Sequence, residues 1–407
     1  MNCRFCKNNL SNKILDLGSS PPSNSYLASL KSINEEKKFP LKLFLCEYCF
    51  LVQTEDFKKP EELFTNDYAY FSSTSAFFLK HAEEYVEKIT KKLNLGTKSF
   101  VVEIASNDGY LLKNFLNFQI PCLGIEPTKS TYLKSVDLEI PAINKFFNSN
   151  LSTEIISNYN KADLIIANNV YAHVPNINDF TIGIKRLLKN EGTVTLEFPH
   201  LLNLIKQNLF DTVYHEHYSY LSLSTVSKIF DKFGLKIYNV EKIPTHGGSL
   251  RVYGCHRSND KPVEISVQNV LNEEKDFGLL NSKEYSNLQI ASEKVKKELI
   301  KFLQEKKEQN KVVVGYGAAA KGNTLLNYCG INKNLIKFVC DAAESKQNKF
   351  LPGSHIEIKK PDNLYKCKID YILILPWNIK DEIINQHSSL NEKGVVFFTA
   401  INGIKFL

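Results

Sequence analysis

The chain has 407 residues, 43% of them hydrophobic and 23% charged, a length beyond what one hydrophobic core ordinarily serves, so two or three domains are expected. Its net charge of +7 comes from 51 basic and 44 acidic residues that are interspersed rather than gathered into a stripe, which argues against a nucleic-acid partner. No run approaches the roughly 18 apolar residues needed to cross a bilayer, and residues 1–6 carry no basic segment leading into an apolar stretch, so neither a membrane partner nor a signal peptide is expected and the chain is placed in the cytoplasm.

Nine cysteines at irregular spacing argue against a disulfide framework. Four stand apart, because Cys3-x-x-Cys6 and Cys46-x-x-Cys49 bracket a short segment whose turn-rich run Gly18-Ser19-Ser20-Pro21-Pro22 looks too small to fold on apolar burial alone. Each pair can sit on a tight turn that aims both sulfurs at one point, so a tetrahedral Zn2+ is expected over residues 1–66. Four thiolates close such a site to water and make it structural rather than catalytic; a redox dithiol is the alternative.

From Phe100 onward, short apolar runs at residues 100–104, 122–125, 162–167 and 193–198 alternate with helical stretches, the pattern of a parallel sheet. The first run passes through Ala105-Ser106-Asn107-Asp108-Gly109-Tyr110 toward a helix beginning near Leu111, a turn at which backbone N–H groups and a helix dipole can meet a cofactor. About 20 residues later, Gly124-Ile125-Glu126-Pro127 ends the next strand with a carboxylate suited to the two hydroxyls of a ribose. An Asn-Asp-Gly turn by itself is only a turn. Paired with Glu126, it predicts a nucleoside-containing cofactor held by Glu103, Ala105, Ser106, Asn107, Gly109, Tyr110, Glu126 and Pro127. Asn168, Asn169 and His173 follow the third run, where ligands sit in open α/β sheets. Downstream, Tyr214-His215-Glu216-His217-Tyr218 is the densest cluster of titratable groups and points to acid–base chemistry. A metal on His215-x-His217 is the alternative, although no other His/Asp pattern completes a shell.

A helix from near Ser222 to Gly234 is expected, then strands at 235–243 and 249–255 joined by Pro244-Thr245-His246-Gly247-Gly248 as a closing antiparallel hairpin. Residues 273–310 are polar, with Leu288, Ala291, Val295, Leu299 and Phe302 spaced as one face of an amphipathic helix, read as a bridge between domains. A second alternating unit has its strands at 312–314, 336–340, 371–375 and 395–398. In it, Gly315-x-Gly317 followed by Lys321-Gly322-Asn323 suits phosphate, since glycines allow close backbone approach and lysine adds charge. The fold class is therefore α/β, with a small zinc-binding unit (1–66), a central Rossmann-like domain (67–265), and a C-terminal Rossmann-like domain with a helical linker (266–407).

The ordered motifs resemble the bacterial nucleotide-sugar C-methyltransferases that build branched deoxysugars, over essentially the whole length. They are the four cysteines, Tyr68-Ala69-Tyr70-Phe71-Ser72-Ser73, the segments 103–109, 168–173 and 214–217, His246-Gly247-Gly248-Ser249-Leu250-Arg251, and Gly315 through Asn323. Ala105 departs from the glycine common there, and Thr128 from a common serine. The resemblance implies S-adenosylmethionine as methyl donor, held by Glu103, Ala105, Ser106, Asn107, Gly109, Tyr110, Glu126, Pro127, Asn168 and Asn169, and a nucleotide-diphosphate 4-keto sugar as acceptor. A carbon beside the ketone would lose a proton and attack the methyl group, with C3 favoured over C5. It further implies His217 as general base, His173 as the group that orients the sugar or polarises its ketone, and Glu216 as the residue fixing a neighbouring histidine's tautomer. Tyr214 and one of Tyr68 or Tyr70 would donate hydrogen bonds. Substrate binding would fall to His246, Gly247, Arg251, Gly315, Tyr316, Gly317, Lys321 and Asn323, with Trp377 and Asn378 at a later strand end. The oligomeric state, monomer or homodimer, stays open. Two other readings compete. Gly315-x-Gly317 with Val339-Cys340-Asp341 also resembles the dinucleotide site of an NAD(P)-dependent oxidoreductase, and the chain could be a non-catalytic zinc-containing binding protein.

Overall fold

Three sheets organise the chain in a computed structural model that describes residues 1–65 and 71–407. The first begins as a long antiparallel hairpin of β1 (Asn12–Ser20) and β2 (Phe39–Leu45), to which β3 (Val52–Gln53) adds. Alternation along β2 buries Leu41, Leu43 and Leu45, and β1 adds Leu15 and Leu17 to the same side. These leucines do not form a core of their own. They join one continuous cluster with a helix at Asn287–Glu308 and the C-terminal sheet, which is how so short a segment finds enough apolar surface.

The central sheet takes β4 (Val101–Ile104), β5 (Cys122–Ile125), β6 (Ala142–Ile143), β7 (Ala162–Asn168) and β8 (Leu188–Pro199) in parallel. All four residues of β4 are buried, as a strand covered on both faces requires. The next strand, β9 (Ser219–Tyr220), leaves this sheet and pairs with β3, so the central domain completes the N-terminal sheet. β10 (Leu235–Ile243) and β11 (Ser249–His256) form the expected hairpin, and β11 inserts antiparallel against β8. The order β10-β11-β8-β7-β4-β5-β6 reverses its winding beside β4, which opens a crevice at the carboxyl ends of β4 and β7. The helix Leu223–Lys232 starts at the predicted Ser222, whose side chain accepts from Thr225 N–H.

The C-terminal sheet has β12 (Val313–Tyr316), β13 (Val339–Cys340), β14 (Ile358–Lys359), β15 (Tyr371–Ile374) and β16 (Val396–Thr399) parallel, with β17 (Lys405–Phe406) antiparallel at one edge. Its order β14-β13-β12-β15-β16-β17 places a second switch point beside β12. The polar stretch read as one bridging helix is instead two helices, Ile265–Phe277 and Asn287–Glu308, broken at Gly278 with φ +92°. The second is a packed element and not a free bridge. Leu288, Ser292, Val295, Leu299, Phe302 and Leu303 are buried, Ser292 taking the place expected of Ala291. From the first helix, the fully buried Glu274 accepts hydrogen bonds from the N–H groups of Leu223 and Ser224 and lies 2.7 Å from His200 Nε2. A carboxylate thus caps the helix Leu223–Lys232 from outside.

Candidate active site

The four cysteines meet as their spacing predicts. Cys3 and Cys49 sulfurs lie 3.6 Å apart, those of Cys6 and Cys46 3.4 Å, and all four within 4.8 Å of one another. Tetrahedral zinc with Zn–S bonds of about 2.3 Å sets sulfurs about 3.8 Å apart, so the cluster has the right size. Each pair closes on the same turn: Lys7 N–H donates to the Cys3 carbonyl and Phe50 N–H to that of Cys46, and Lys7 and Phe50 both hold positive φ. Amides of Asn8 and Gln53 donate to Cys6 and Cys3 at 3.3 Å, which favours thiolates. No other group of three or more metal-ligating residues occurs among the described residues. His215 faces Pro40, whose carbonyl its Nε2 meets at 3.2 Å, so it does not converge with His217 on a metal.

At the first switch point the turn after β4 holds Ala105 at φ +58°, Asn107 at +50° and Gly109 at +78°. Ala105 thus sits where a glycine would be unstrained, at a cost of roughly 1–2 kcal/mol. A side chain at Gly109 would strike Ile140, its Cβ falling 2.3 Å from Cδ1. Glu126 Oε2 accepts from Asn107 N–H at 2.8 Å and Oε1 from Thr128 N–H at 2.8 Å, so the carboxylate expected to bind ribose also ties the two strand-end loops together. Five buried atoms here lack a hydrogen-bond partner among the described residues: Glu103 Oε2, Ser106 Oγ, Asp108 Oδ1, Asn168 Oδ1 and Asn169 Oδ1. Burial, and then the carboxylates of Glu126, Asp108 and Glu197, push Glu103 well above the usual carboxylate range. Tyr110 packs in the core beside the turn, and Pro127 is half-buried behind Glu126.

The histidines cluster beyond the end of β7. His217 Nδ1 is 3.0 Å from the Thr212 carbonyl, which can only accept, so Nδ1 carries the proton and Nε2 the lone pair; Tyr214 Oη is 2.9 Å from Nε2. His173 lies nearby, its ring tilted 60° to that of His217 with centroids 4.6 Å apart and its Nδ1 donating to the Glu216 carbonyl at 2.7 Å. Burial lowers His173 to about 4 and holds His217 well below the usual imidazole range. The expectation that the Glu216 side chain fixes a histidine tautomer is corrected. Main-chain carbonyls of Glu216 and Thr212 do that, meeting Nδ1 of His173 and His217 at 2.7 and 3.0 Å, while the Glu216 carboxylate accepts from Asn24 N–H and Nδ2 at 3.2 and 3.3 Å. Tyr68 and Tyr70 lie outside the described residues.

Residues of the C-terminal unit reach the same cluster. Gly317 (φ +86°) lets the turn after β12 cross Pro376, Ala318 N–H donates to Asp341 Oδ2 at 2.7 Å, and Lys321 Nζ reaches Asn378 Oδ1 at 2.7 Å. Gly315 packs against Val339, and Tyr316 is buried edge-on to His387. Asn323 donates to the Ser23 carbonyl at 2.6 Å, which commits its amide to the N-terminal unit. Arg251 is likewise committed: its Nε donates to Glu197 Oε1 at 2.6 Å while His81 Nε2 sits 3.1 Å from Oε2, so it faces its own strand neighbours and not an open cleft. His246, lowered to about 3 chiefly by burial, lies in the loop between β10 and β11, where Gly247 meets the Trp377 ring. The Trp377 indole donates to Asp211 Oδ2 at 2.6 Å, and burial pushes Asp211 up to about 6. Asn24, His81 and Asp211 were missed in the sequence; each is a lone polar residue in an unremarkable context, and only tertiary contact marks it.

Comparison with known proteins decides between the readings. Family models described as "C-methyltransferase C-terminal domain", "Methyltransferase domain" and "Putative zinc binding domain" match residues 244–402, 78–240 and 3–64. The C-methyltransferase NovU of Streptomyces niveus is 30% identical over 399 residues, which cover 98% of this chain and 95% of that protein. The chain belongs to the C-methyltransferase family. Among solved structures, a SAM-dependent methyltransferase from Anabaena variabilis is 14% identical over 42% of this chain and 83% of its own, with a TM-score of 0.35. Magnesium protoporphyrin IX methyltransferase from Synechocystis is 11% identical over 50% of this chain and 100% of its own, with a TM-score of 0.36. The oxidoreductase and binding-protein readings give way to an S-adenosylmethionine-dependent methyltransferase. The first crevice fits that cofactor. The ammonium and ribose hydroxyls of such a cofactor would supply donors to orphaned acceptors such as Glu103 Oε2 and Asn169 Oδ1, and its positive charge would offset the crowded carboxylates. None of the helices among the described residues is long and apolar enough to cross a membrane.

Proposed function

We propose that this methyltransferase alkylates a carbon beside the ketone of a nucleotide-linked 4-keto-6-deoxy sugar, C3 in preference to C5. The carrying observation is His217: a buried, neutral imidazole with its Nδ1 proton given to the Thr212 carbonyl and its Nε2 lone pair turned to Tyr214. Removing a proton from carbon needs a base that is unprotonated at working pH and fixed in one tautomer, and His217 meets both conditions.

In this reading Glu103, Ala105, Ser106, Asn107, Gly109 and Tyr110, with Glu126, Pro127, Asn168 and Asn169, hold the cofactor, which when bound supplies the electrophilic methyl. His217 Nε2 takes the α-proton once substrate displaces the Tyr214 hydroxyl from it, and that freed hydroxyl donates to the oxygen on which enolate charge develops. His173 spends its only proton on the Glu216 carbonyl, so it accepts from a sugar hydroxyl and does not polarise the ketone. The turn Gly315–Gly317 and Lys321 receive the diphosphate, while burial of the pocket keeps water from quenching the carbanion. The domain limits 1–66, 67–265 and 266–407 belong to the same reading, as does a structural role for zinc.

The test is a product assay by mass spectrometry with purified protein, S-adenosylmethionine and a dTDP-4-keto-6-deoxyhexose in deuterated water. One added methyl on the sugar, with deuterium exchange at the neighbouring carbon, is the expected result and locates the deprotonated position. Absence of methylation across several 4-keto sugar nucleotides, with cofactor binding verified, overturns the substrate assignment.

A further inference from the structure

Two loops carry the buried histidines, and one side chain of the C-terminal unit touches both. Asp211 is the middle residue of the short 3-10 turn Phe210–Thr212, whose last carbonyl receives the His217 Nδ1 proton. Trp377, just past β15, donates its indole N–H to Asp211 at 2.6 Å. The next carbonyl along, Val213, accepts from Thr324 of the same C-terminal unit at 2.8 Å, so the turn is pinned from that side at two points. On its other edge the indole fills the space of a missing side chain: a Cβ at Gly247 would lie 2.5 Å from Trp377 Cη2. Gly247 follows His246. Asp211 is 1% exposed and also takes main-chain hydrogen bonds from Asp211 and Thr212, so its carboxylate ties the indole to the turn, and loss of the indole donor carries a free-energy cost at a buried charge.

We propose that Trp377 and Asp211 are positioning residues through which the C-terminal unit sets the tautomer and place of His217, so that the methyltransferase domain has a competent base only with the C-terminal unit docked. Trp377 then acts on the reaction through the 210–212 turn and the 245–248 loop, and does not contact the nucleotide. The inference rests on the reading of His217 as base. Its logic is geometric: a ring held by one main-chain carbonyl is only as well placed as the turn that presents it, and a misplacement of about 1 Å can cost about a hundredfold in rate.

The experiment uses the full chain as Trp377→Phe, Asp211→Ala and Asp211→Asn, each checked for S-adenosylmethionine affinity by calorimetry. Trp377 is the chain's only tryptophan, so its emission also reports whether the hydrogen bond survives in each Asp211 variant. Trp377→Phe and Asp211→Ala are expected to bind the cofactor as wild type, keep KM for the sugar nucleotide, and lose about tenfold or more in kcat. Asp211→Asn, whose amide oxygen still accepts the indole proton, is expected to recover most of that loss. Unchanged kcat with raised KM in Trp377→Phe overturns the proposal and makes Trp377 an ordinary substrate contact; equal loss in Asp211→Asn and Asp211→Ala overturns it as well. Should the wild type methylate no 4-keto sugar nucleotide, the substrate reading falls alone, and the positioning role is judged on nitrogen NMR of labelled histidine. A His217 Nδ1–H signal lost or displaced in Trp377→Phe supports it, and an unchanged signal refutes it.

Discussion

His217 and its neighbours set what can be tested with single substitutions. His217→Gln keeps the size of the ring but no basic lone pair, so turnover is expected to fall by about a hundredfold or more while S-adenosylmethionine binding persists; full activity in that variant removes His217 from the reaction. The pH dependence follows from burial. His173 takes a proton in the folded protein only near pH 4, whereas in the unfolded chain it does so below about 6.5. The unfolded state therefore binds more protons between those values, and the contribution of His173 to stability, complete above pH 6.5, is lost as pH falls toward 4. His173→Asn should show a smaller drop in melting temperature than wild type between pH 6.5 and 4.5. An equal drop in both proteins means the ring is not buried as the neutral form. For activity, a base whose folded pKa lies well below 6.5 places the acid limb of kcat/KM below that pH as well.

Among the elements, the helix Leu223–Lys232 depends on a partner far from it in sequence. Its own Ser222 supplies one cap, and Glu274 supplies acceptors for two further N–H groups at its start while holding His200. Replacing Glu274 with Ala leaves those donors and a buried histidine unpaired, which is expected to destabilise the protein by about 3–5 kcal/mol in denaturant unfolding. A change below about 0.5 kcal/mol would place Glu274 with ordinary surface sites. The second helix of the polar stretch after β11, Asn287–Glu308, likewise owes its place to partners far away in sequence. Its apolar stripe has correct helical spacing, but spacing does not say what covers it, and here the cover is the N-terminal hairpin and the C-terminal sheet together.

For the molecule as a whole, zinc is expected to matter at a distance. The N-terminal unit contributes Asn24 to Glu216, Ser23 to Asn323, and the Tyr26 hydroxyl to the Ala318 carbonyl at 2.5 Å, while β3 continues into β9 just past His217. Metal binding to a four-thiolate site is also folding free energy. Removing zinc with a strong chelator should therefore abolish methyl transfer in step with metal release, measured by a chromogenic zinc reporter and the product assay on the same sample. Full activity retained after stoichiometric release would confine the metal to a detachable appendage.

Local chemistry is what the sequence by itself determined. The two Cys-x-x-Cys pairs, the glycine-bearing turns after β4 and β12, the carboxylate of Glu126 and the strand runs of both sheets are legible because each depends on residues a few positions apart, whose geometry the backbone enforces. Tertiary structure alone decided which of these meet. Asn24 against Glu216, Asp211 against Trp377, and Arg251 held by Glu197 and so withdrawn from the cleft are pairings across 192, 166 and 54 positions. No periodicity or motif encodes such pairs, since a buried polar group is satisfied by whatever donor the packing of three sheets brings within about 3 Å.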